Sequence, residues 1–584
     1  MKRQPGVGSP AFENKWKADQ VAGMPTGWQA DTLAEHARRM GPVTDKSLDV
    51  LRQLDNVGRV REHAAQQADS ARKRAGNGWL LALGQRVKDL NLCGLTLNAG
   101  DAEIIQAAKD AAAQLYEMAL QLKAADLPEL VAQSKAFAQG KGIVPPECED
   151  GPCMVRLLCP AWWRRQIRKR HAQAVEEAAI SIGRVHADAE PFASRVSIDR
   201  RRVQKRRNRA MLEATIATNQ HGAEYTLAEL SDVGIANPNI RRLELLCRVA
   251  GFERCAKEAG HEGWFITLTC PSRFHARHYG GAKNEKHSEE TPRTAQAHLT
   301  GCWSRARAAL ARRNLPVYGL RVCEPHHDGT PHWHMLLFCE PGRGAELQTV
   351  LREYFLLQHE PDEAGAAKHR VALIAIDWQK GSAVGYVIKY VCKNIDGAGM
   401  DFDDEAGAPA NIRAEAVEAW AATWRIRQFQ QIGGPGVGVW RELRKLKACE
   451  ESDKLRELCA AADAGDWQAY VMGQGGPVAL RKDRPVQVAR TVAGMAWDAA
   501  NQVPVEKETN YCEPVKPQTF GLLDLLKGVQ VVTRVLAWVR KAGKLVRDKA
   551  VAFAAGAYIC EQGDFDSLGL VCITVRGQAV LDGS

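Results

Sequence analysis

The segment EPHHDGTPHWHMLLF, from Glu324 to Phe338, combines residue types that bind metals with a spacing that lets them do so. In a β-strand, side chains at i and i+2 leave the same face. His332 and His334 therefore stand side by side, and Trp333 points the other way. Asp328-Gly329 marks a tight turn, and PVYGLRVCE before it reads as a strand. A hairpin centred on Asp328 sets Glu324 opposite His332 and Val322 opposite His334, with opposed Cβ atoms about 5 Å apart. A carboxylate and two imidazoles gathered this way could hold a divalent cation and leave open positions for a substrate oxygen. The plainer alternative is a hairpin with two surface histidines and a glutamate at its rim. His326 and His327, in the turn, are either further ligands or solvated residues.

GYVIKYVCKN is the second chemical element. Tyr386 and Tyr390 are four residues apart, so on a helix both phenols leave one side. Lys389 and Lys393 each follow a tyrosine by three residues, and each is expected to serve the tyrosine before it. Val387, Ile388 and Val391 supply a face that packs inward. A phenol with the ordinary pKa of about 10 is a weak nucleophile. A neighbouring ammonium and a metal-polarised phosphate are what it needs to attack phosphorus. Without them, two tyrosines on a helix are packing residues.

These side chains need a scaffold. A chain of 584 residues exceeds what one core holds, so roughly two to four domains are expected. With 45% hydrophobic and 25% charged residues, its composition is globular. Residues 30–140 carry helical spacing, as in AEIIQAAKDAAAQLYEMALQL. WFITLTCP is a β-rich run stopped by Pro271, AQAHLTGCWSRARAALARRN reads as a helix, and VALIAIDW as another strand. The sequence thus predicts an α+β protein. Residues 1–240 form a mostly helical region with basic patches, 241–448 an antiparallel sheet with packed helices, and 449–584 a helical or irregular region. Gly521 to Cys560, with Lys or Arg every few positions, reads as amphipathic helix. Thr267 and Thr269 share a strand face and could support the site, although the structural role is the one expected.

The formal net charge of +10 leans towards a polyanionic partner. Seven of the ten residues from Arg200 to Arg209 are basic. Arg200, Arg201, Arg202, Lys205, Arg206 and Arg207 are candidate phosphate contacts. WWRRQIRKRH adds Trp162 and Trp163, a mix suited to base stacking. A solvated helix face is the alternative for both stretches. Cys148, Cys153 and Cys159 with His171 have the elements of a zinc site, at irregular spacing. The sixteen cysteines are expected to be reduced and the protein cytosolic, because MKRQPGVGSPAFENKWKADQ lacks a leader's apolar core. No stretch approaches the roughly 20 apolar residues that span a bilayer, so no membrane partner is expected.

Taken in order, FITLT, PHWHMLLF and YVIKY resemble the three motifs of the HUH endonucleases. Within that superfamily the chain is similar to the phage replication gene A protein family of rolling-circle initiators. EPHHDGTPHWH and RQFQQIGGPGVGVWRELRK extend the resemblance over at least Phe265 to Lys445, and RLELLCRVAGFE and WWRR carry it further towards the N-terminus. The paired tyrosines match the replication initiators rather than single-tyrosine relatives.

The resemblance implies a metal-dependent, site-specific endonuclease and strand transferase working with Mg²⁺ or Mn²⁺. His332, His334 and Glu324 would be metal ligands, and Tyr386, Tyr390, Lys389 and Lys393 catalytic residues. One tyrosine would form a 5′-phosphotyrosyl link and free a 3′-OH. The second would cut after one round so that the circle reseals. The expected partners are origin DNA (single-stranded or supercoiled), a host helicase and a host polymerase, in the bacterial cytoplasm. No G-x-x-x-x-G-K-[ST] loop is found, which agrees with strand separation by another protein or by supercoiling. His275 could touch DNA or simply pack. The rival readings are a transposase or plasmid relaxase of the same superfamily, and a non-catalytic, metal-containing DNA-binding protein.

Overall fold

The computed structural model describes residues 10–40, 70, 73–78, 80–85, 92–121, 127–288, 290–395, 402–403, 408–446 and 452–542. They fall into two compact units, Met1–Arg184 and Val185–Ser584. The first unit is helical, as its periodicity predicts. In the helix Asp101–Gln121, for example, Ile104, Ala108, Ala111, Ala112 and Leu115 form one buried stripe.

The second unit holds the central sheet and its helices. In chain order these are α1 (Arg195–Ala214), α2 (Pro238–Glu258), β1 (Glu262–Leu268), α3 (Pro292–Arg312), β2 (Tyr318–Pro325), β3 (Pro331–Cys339), β4 (Val371–Ala375), α4 (Ala383–Ile395), α5 (Ala410–Trp424) and β5 (Phe429–Ile432). The helix starts are written in the sequence. The Ser194, Asn237 and Thr291 side chains each accept a first-turn backbone N–H, and proline follows the last two caps.

The five strands run antiparallel in the order β4-β1-β3-β2-β5. Gly319 permits the close approach of β2 to β3, since a Cβ there would lie 1.9 Å from the Leu336 carbonyl oxygen. Both β2 and β3 are buried along nearly their whole length, because helices cover both faces of the sheet. On one face, Phe265, Leu320, Val322, Leu336 and Phe338 join Val249 and Phe252 of α2 and Val387 and Val391 of α4 in one core. Each such buried side chain contributes about 1.5–3 kcal/mol. On the other face, Trp333 of β3 and Cys323 of β2 donate to the side-chain amide oxygen of Gln296 on α3.

The α+β class and the strands at 264–268, 318–339 and 371–375 match the sequence reading. Beyond residue 449 the chain differs from it. Two helices, Asp453–Asp463 and Trp467–Gly473, give way to strands. Val486–Arg490, Thr519–Asp524 and Val529–Val532 form a second antiparallel sheet. Trp538–Ala542 pairs with Thr215–Asn219, which also forms a hairpin with Glu224–Thr226 inside the region expected to be helical. The amphipathic helix expected from Gly521 is therefore absent as far as residue 542, and its remainder lies outside the described residues. FGLLDLLKG mimics helical spacing, but Leu525 and Leu526 are exposed in a turn, and Leu522 pairs across to Val531. Short strands broken by turns carry too few alternations to stand out from a 3.6-residue period.

Candidate active site

β2 and β3 are joined by the five residues His326–Thr330. His326 N–H donates to the Thr330 carbonyl, and Gly329, at φ +84°, takes the left-handed position that closes the turn. Glu324 pairs with His332 and Val322 with His334. The two imidazoles share a face, and their Nε2 atoms are 2.9 Å apart. Glu324 Oε2 lies 3.9 Å from His334 Nε2. One ligand atom from each of the three residues falls within 4.8 Å of the others. The geometry read from residue spacing is therefore present as a candidate metal centre.

Neighbouring groups hold each of these side chains in place. His334 Nδ1 is 3.1 Å from the Thr267 hydroxyl on β1. When Nδ1–H donates to that oxygen, the lone pair is fixed on Nε2. Thr267 thus orients a candidate ligand as well as filling the sheet, whereas Thr269 donates to the His369 carbonyl and is structural, as expected. Glu324 Oε1 accepts a short hydrogen bond from the Asn394 amide of α4, which also donates to the Tyr390 carbonyl at 2.6 Å. His332 stacks on His326 at 4.0 Å between ring centroids. His275 is 3.1 Å from the buried Asp328 carboxylate in the turn, so it braces the hairpin.

α4 lies over the same sheet face. The Tyr390 ring stacks on His334 with centroids 3.9 Å apart, and also on Phe265. Tyr386 sits 5.8 Å from Phe265 and is 37% exposed. The lysines are unequal: Lys393 is 2% exposed and Lys389 lies at the surface.

Sequence reasoning missed Asn394, although it left a signal. Val387, Val391 and Asn394 continue one buried stripe, and an amide on an apolar face requires a partner. Gln428, which approaches the Asn394 amide oxygen at 3.4 Å, is separated from it in sequence and carried no such signal.

Burial pushes the imidazoles of His332 and His326 well below the usual histidine value. It pushes His334 down to about 3, with His326, Lys393 and Lys389 adding to the effect. All three are neutral near pH 7. Their folded-state values lie below the unfolded 6.5, so the stability they contribute is present above pH 6.5 and lost as pH falls towards the folded values. For His334 this amounts to about 2 kcal/mol between pH 6.5 and 5. In chelator-containing buffer, the Tm should fall as pH drops from 7 to 5, and less steeply for His332→Asn/His334→Asn. Burial lowers the His275 value, but Asp328 outweighs it and raises the net, an opposite contribution that this variant leaves in place.

The candidate DNA contacts on α1 have other partners. Arg201 and Lys205 pair with Glu418, and Arg202 with Glu415, all on α5. Arg206 and Arg207 are exposed and Arg200 is half-buried. Three of the seven basic residues in this run therefore fasten α1 to α5, and the Trp420 indole of α5 in turn donates to the Gly329 carbonyl of the hairpin.

Two possibilities that the sequence leaves open in the first unit are not realised among the described residues. Trp162 and Trp163 are buried in edge-to-face contact, with the Trp163 indole donating to the Leu157 carbonyl, so neither is presented for base stacking. Cys148 and Cys153 interact with each other, but with Cys159 and His171 they form no three-ligand cluster among the described residues, and the His171 ring meets the Thr96 carbonyl. Among the described residues no disulfide is recorded, and no helix is long and apolar enough to cross a membrane.

The fold and site together define an α+β protein whose sheet carries a histidine pair and a glutamate beneath a helix bearing two tyrosines. The chain belongs to the bacteriophage replication gene A protein (GPA) family, which it matches over residues 95–398, more than half its length. It is 43% identical over 350 residues to the replication gene A protein of Escherichia phage 186, covering 58% of this chain and 50% of that protein. It is 38% identical over 354 residues to the probable replication protein P12 of Pseudoalteromonas phage PM2, covering 58% and 54%. A probable replication endonuclease from a prophage-like region of Salmonella typhimurium is 33% identical over 355 residues, covering 58% and 44%. The chain spans about half the length of the curated relatives it matches. No solved structure matches it.

Proposed function

We propose that this chain is a metal-dependent DNA strand transferase that cuts one strand at a phage origin and later rejoins it, starting and ending rolling-circle replication. The observation that carries this reading is the placement of Tyr390, stacked at 3.9 Å on one of two converging histidines. Names among the relatives, "replication gene A protein" and "replication endonuclease", point the same way.

The carboxylate suits Mg²⁺ or Mn²⁺, and the two imidazoles favour Mn²⁺ of the pair, Mg²⁺ being the ion phosphoryl chemistry in cells usually uses. Two neutral imidazole nitrogens at 2.9 Å crowd each other unless a proton or a cation lies between them. Adjacent ligands of an octahedral ion at ~2.1 Å are separated by about 3 Å, which is close to that spacing. When bound, the ion would polarise a phosphate oxygen and offset charge as phosphorus is attacked.

The chain's own residues supply the remainder. His332, His334 and Glu324 would hold the ion, with Thr267 and Asn394 orienting the last two. A tyrosine Oη forms a bond to phosphorus as the P–O3′ bond breaks. The phenolic proton passes to solvent, and the departing 3′-oxygen takes up a proton from solvent to become a hydroxyl. Phosphodiester energy is retained in the 5′-phosphotyrosine, so rejoining needs no nucleotide. Lys389 and Lys393 favour the attacking phenolate by their charge. Origin DNA, a host helicase and a host polymerase are the partners, and the host cytoplasm the setting. The decisive experiment incubates the protein with a single-stranded origin oligonucleotide and Mn²⁺, then looks for a covalent adduct on a denaturing gel. Absence of an adduct with every origin strand would overturn the reading.

DNA backbone contacts are supplied by a basic cavity of about 1180 Å³ beside edge strand β5. Six arginines line it, against Glu340 and Glu442. Arg307, Arg481 and Arg490 are exposed there and make no ion pair among the described residues. Replacing all three with alanine should reduce the slope of log affinity against log salt by about 2. Cleavage of a saturating short oligonucleotide should be unchanged. An unaltered slope would remove this cavity from the DNA path.

A further inference from the structure

We propose that His298, Cys302 and His359 form a separate zinc site on the sheet face opposite the candidate active site. His298 and Cys302 are four residues apart on α3, so both side chains leave one side of the helix. His359 comes from the loop that follows Glu353–Leu357. The Cys302 sulfur lies 3.7 Å from His298 Nε2 and 3.4 Å from His359 Nε2. Tetrahedral zinc, with Zn–S ~2.3 Å and Zn–N ~2.05 Å, places sulfur and nitrogen about 3.6 Å apart. The two observed separations bracket that value. All three ligand atoms fall within 4.8 Å of one another.

The donor types select the ion. One thiolate and two imidazoles suit zinc, and do not suit the hard cations that prefer oxygen. Binding releases the thiol proton to solvent and leaves a fourth position for water. Cys302 is fully buried and both histidines are half-buried, so the site is partly enclosed by protein. Arg305 is the competing group. Its guanidinium donates to His359 Nε2 at 3.0 Å and to the Cys302 sulfur at 3.5 Å. Arg305 is exposed, so it can release His359 towards solvent as the ion enters while remaining near the thiolate.

The surroundings indicate a structural role. Arg370 donates to the carbonyls of His359 and Glu360 and pairs with Glu363, which fixes the loop. That loop leads into β4, and α3 supplies Gln296 to β2 and β3. An ion here would fasten α3 to the connection that delivers the sheet's edge strand.

Cobalt is the test, applied to the full chain. After chelator treatment, reloading with Co²⁺ should give a sulfur-to-cobalt charge-transfer band at one equivalent. The candidate active site has no cysteine ligand, so it cannot produce this band. Cys302→Ser should abolish the band, and His359→Ala should weaken Co²⁺ and Zn²⁺ binding roughly tenfold or more. His332→Ala/His334→Ala should keep it, which separates this site from the nuclease reading. If Cys302→Ser folds poorly, His359→Asn tests the site instead, because titrating the same band should show Co²⁺ affinity weakened roughly tenfold or more, and an unchanged affinity would overturn it. Absence of the band in the unmodified chain, or its persistence in Cys302→Ser, would overturn the site.

Discussion

A His332→Ala/His334→Ala variant should bind origin DNA with nearly unchanged affinity, yet cleave it at no more than about a hundredth to a thousandth of the normal rate. The separation follows from where each function resides. DNA affinity comes mainly from cations contacting phosphates, and the exposed arginines proposed for that contact line the cavity beside β5, which includes none of the three candidate metal ligands. Cleavage instead requires charge stabilisation at one phosphate, worth several kcal/mol when a divalent ion supplies it. Asn394→Ala should give a graded effect, because it removes the amide that donates to Glu324 but none of the three ligands. A loss of roughly 10–100-fold in apparent metal affinity is expected, offset at high Mn²⁺. Thr267→Val should behave similarly through His334. Binding is read by fluorescence anisotropy and cleavage by denaturing gel. Normal cleavage by the double alanine variant would end the metal-centre reading.

What could be read from the sequence was whatever repeats at short range. A period of two placed His332 and His334 on one face, and an Asp-Gly turn set Glu324 opposite His332. The i, i+4 spacing placed Tyr386 and Tyr390 on one side of α4, and both reach Phe265. Contacts made across distance in the chain were not legible. The basic run on α1 looked like a phosphate-binding strip because Glu415 and Glu418, which pair with three of its seven basic residues, lie more than 200 residues away. Trp162 and Trp163 beside arginines suggested a stacking surface, but an indole's preference for burial prevailed. His359 is 57 residues from Cys302, too far for any spacing rule to join them. The late strands were missed because each is only four to six residues long.

The two tyrosines should prove unequal. Tyr390 stacks on His334, whereas Tyr386 is reached through Phe265 and is more exposed. Tyr390→Phe keeps the ring, and with it the stacking on His334, so any loss reports the missing hydroxyl alone. We expect this variant to lose most of its first cleavage of a single-stranded origin oligonucleotide, a drop of about 10²–10³. Tyr386→Phe should keep that cleavage within about tenfold, or ~1.4 kcal/mol. Both variants should fail to reseal circles, because termination requires a second nucleophile while the first remains esterified. The lysines should follow the same asymmetry. Lys393 is buried, where a charge acts through a lower effective dielectric than at the surface. Lys393→Met should therefore slow Tyr390 more than Lys389→Ala slows Tyr386. Tyr386→Phe/Tyr390→Phe should form no covalent adduct. Equal losses in the two single variants would show that DNA binding moves α4 until both phenols reach the phosphate alike. Mass-spectrometric mapping of the adduct to a tyrosine outside α4 would remove the helix from the chemistry altogether.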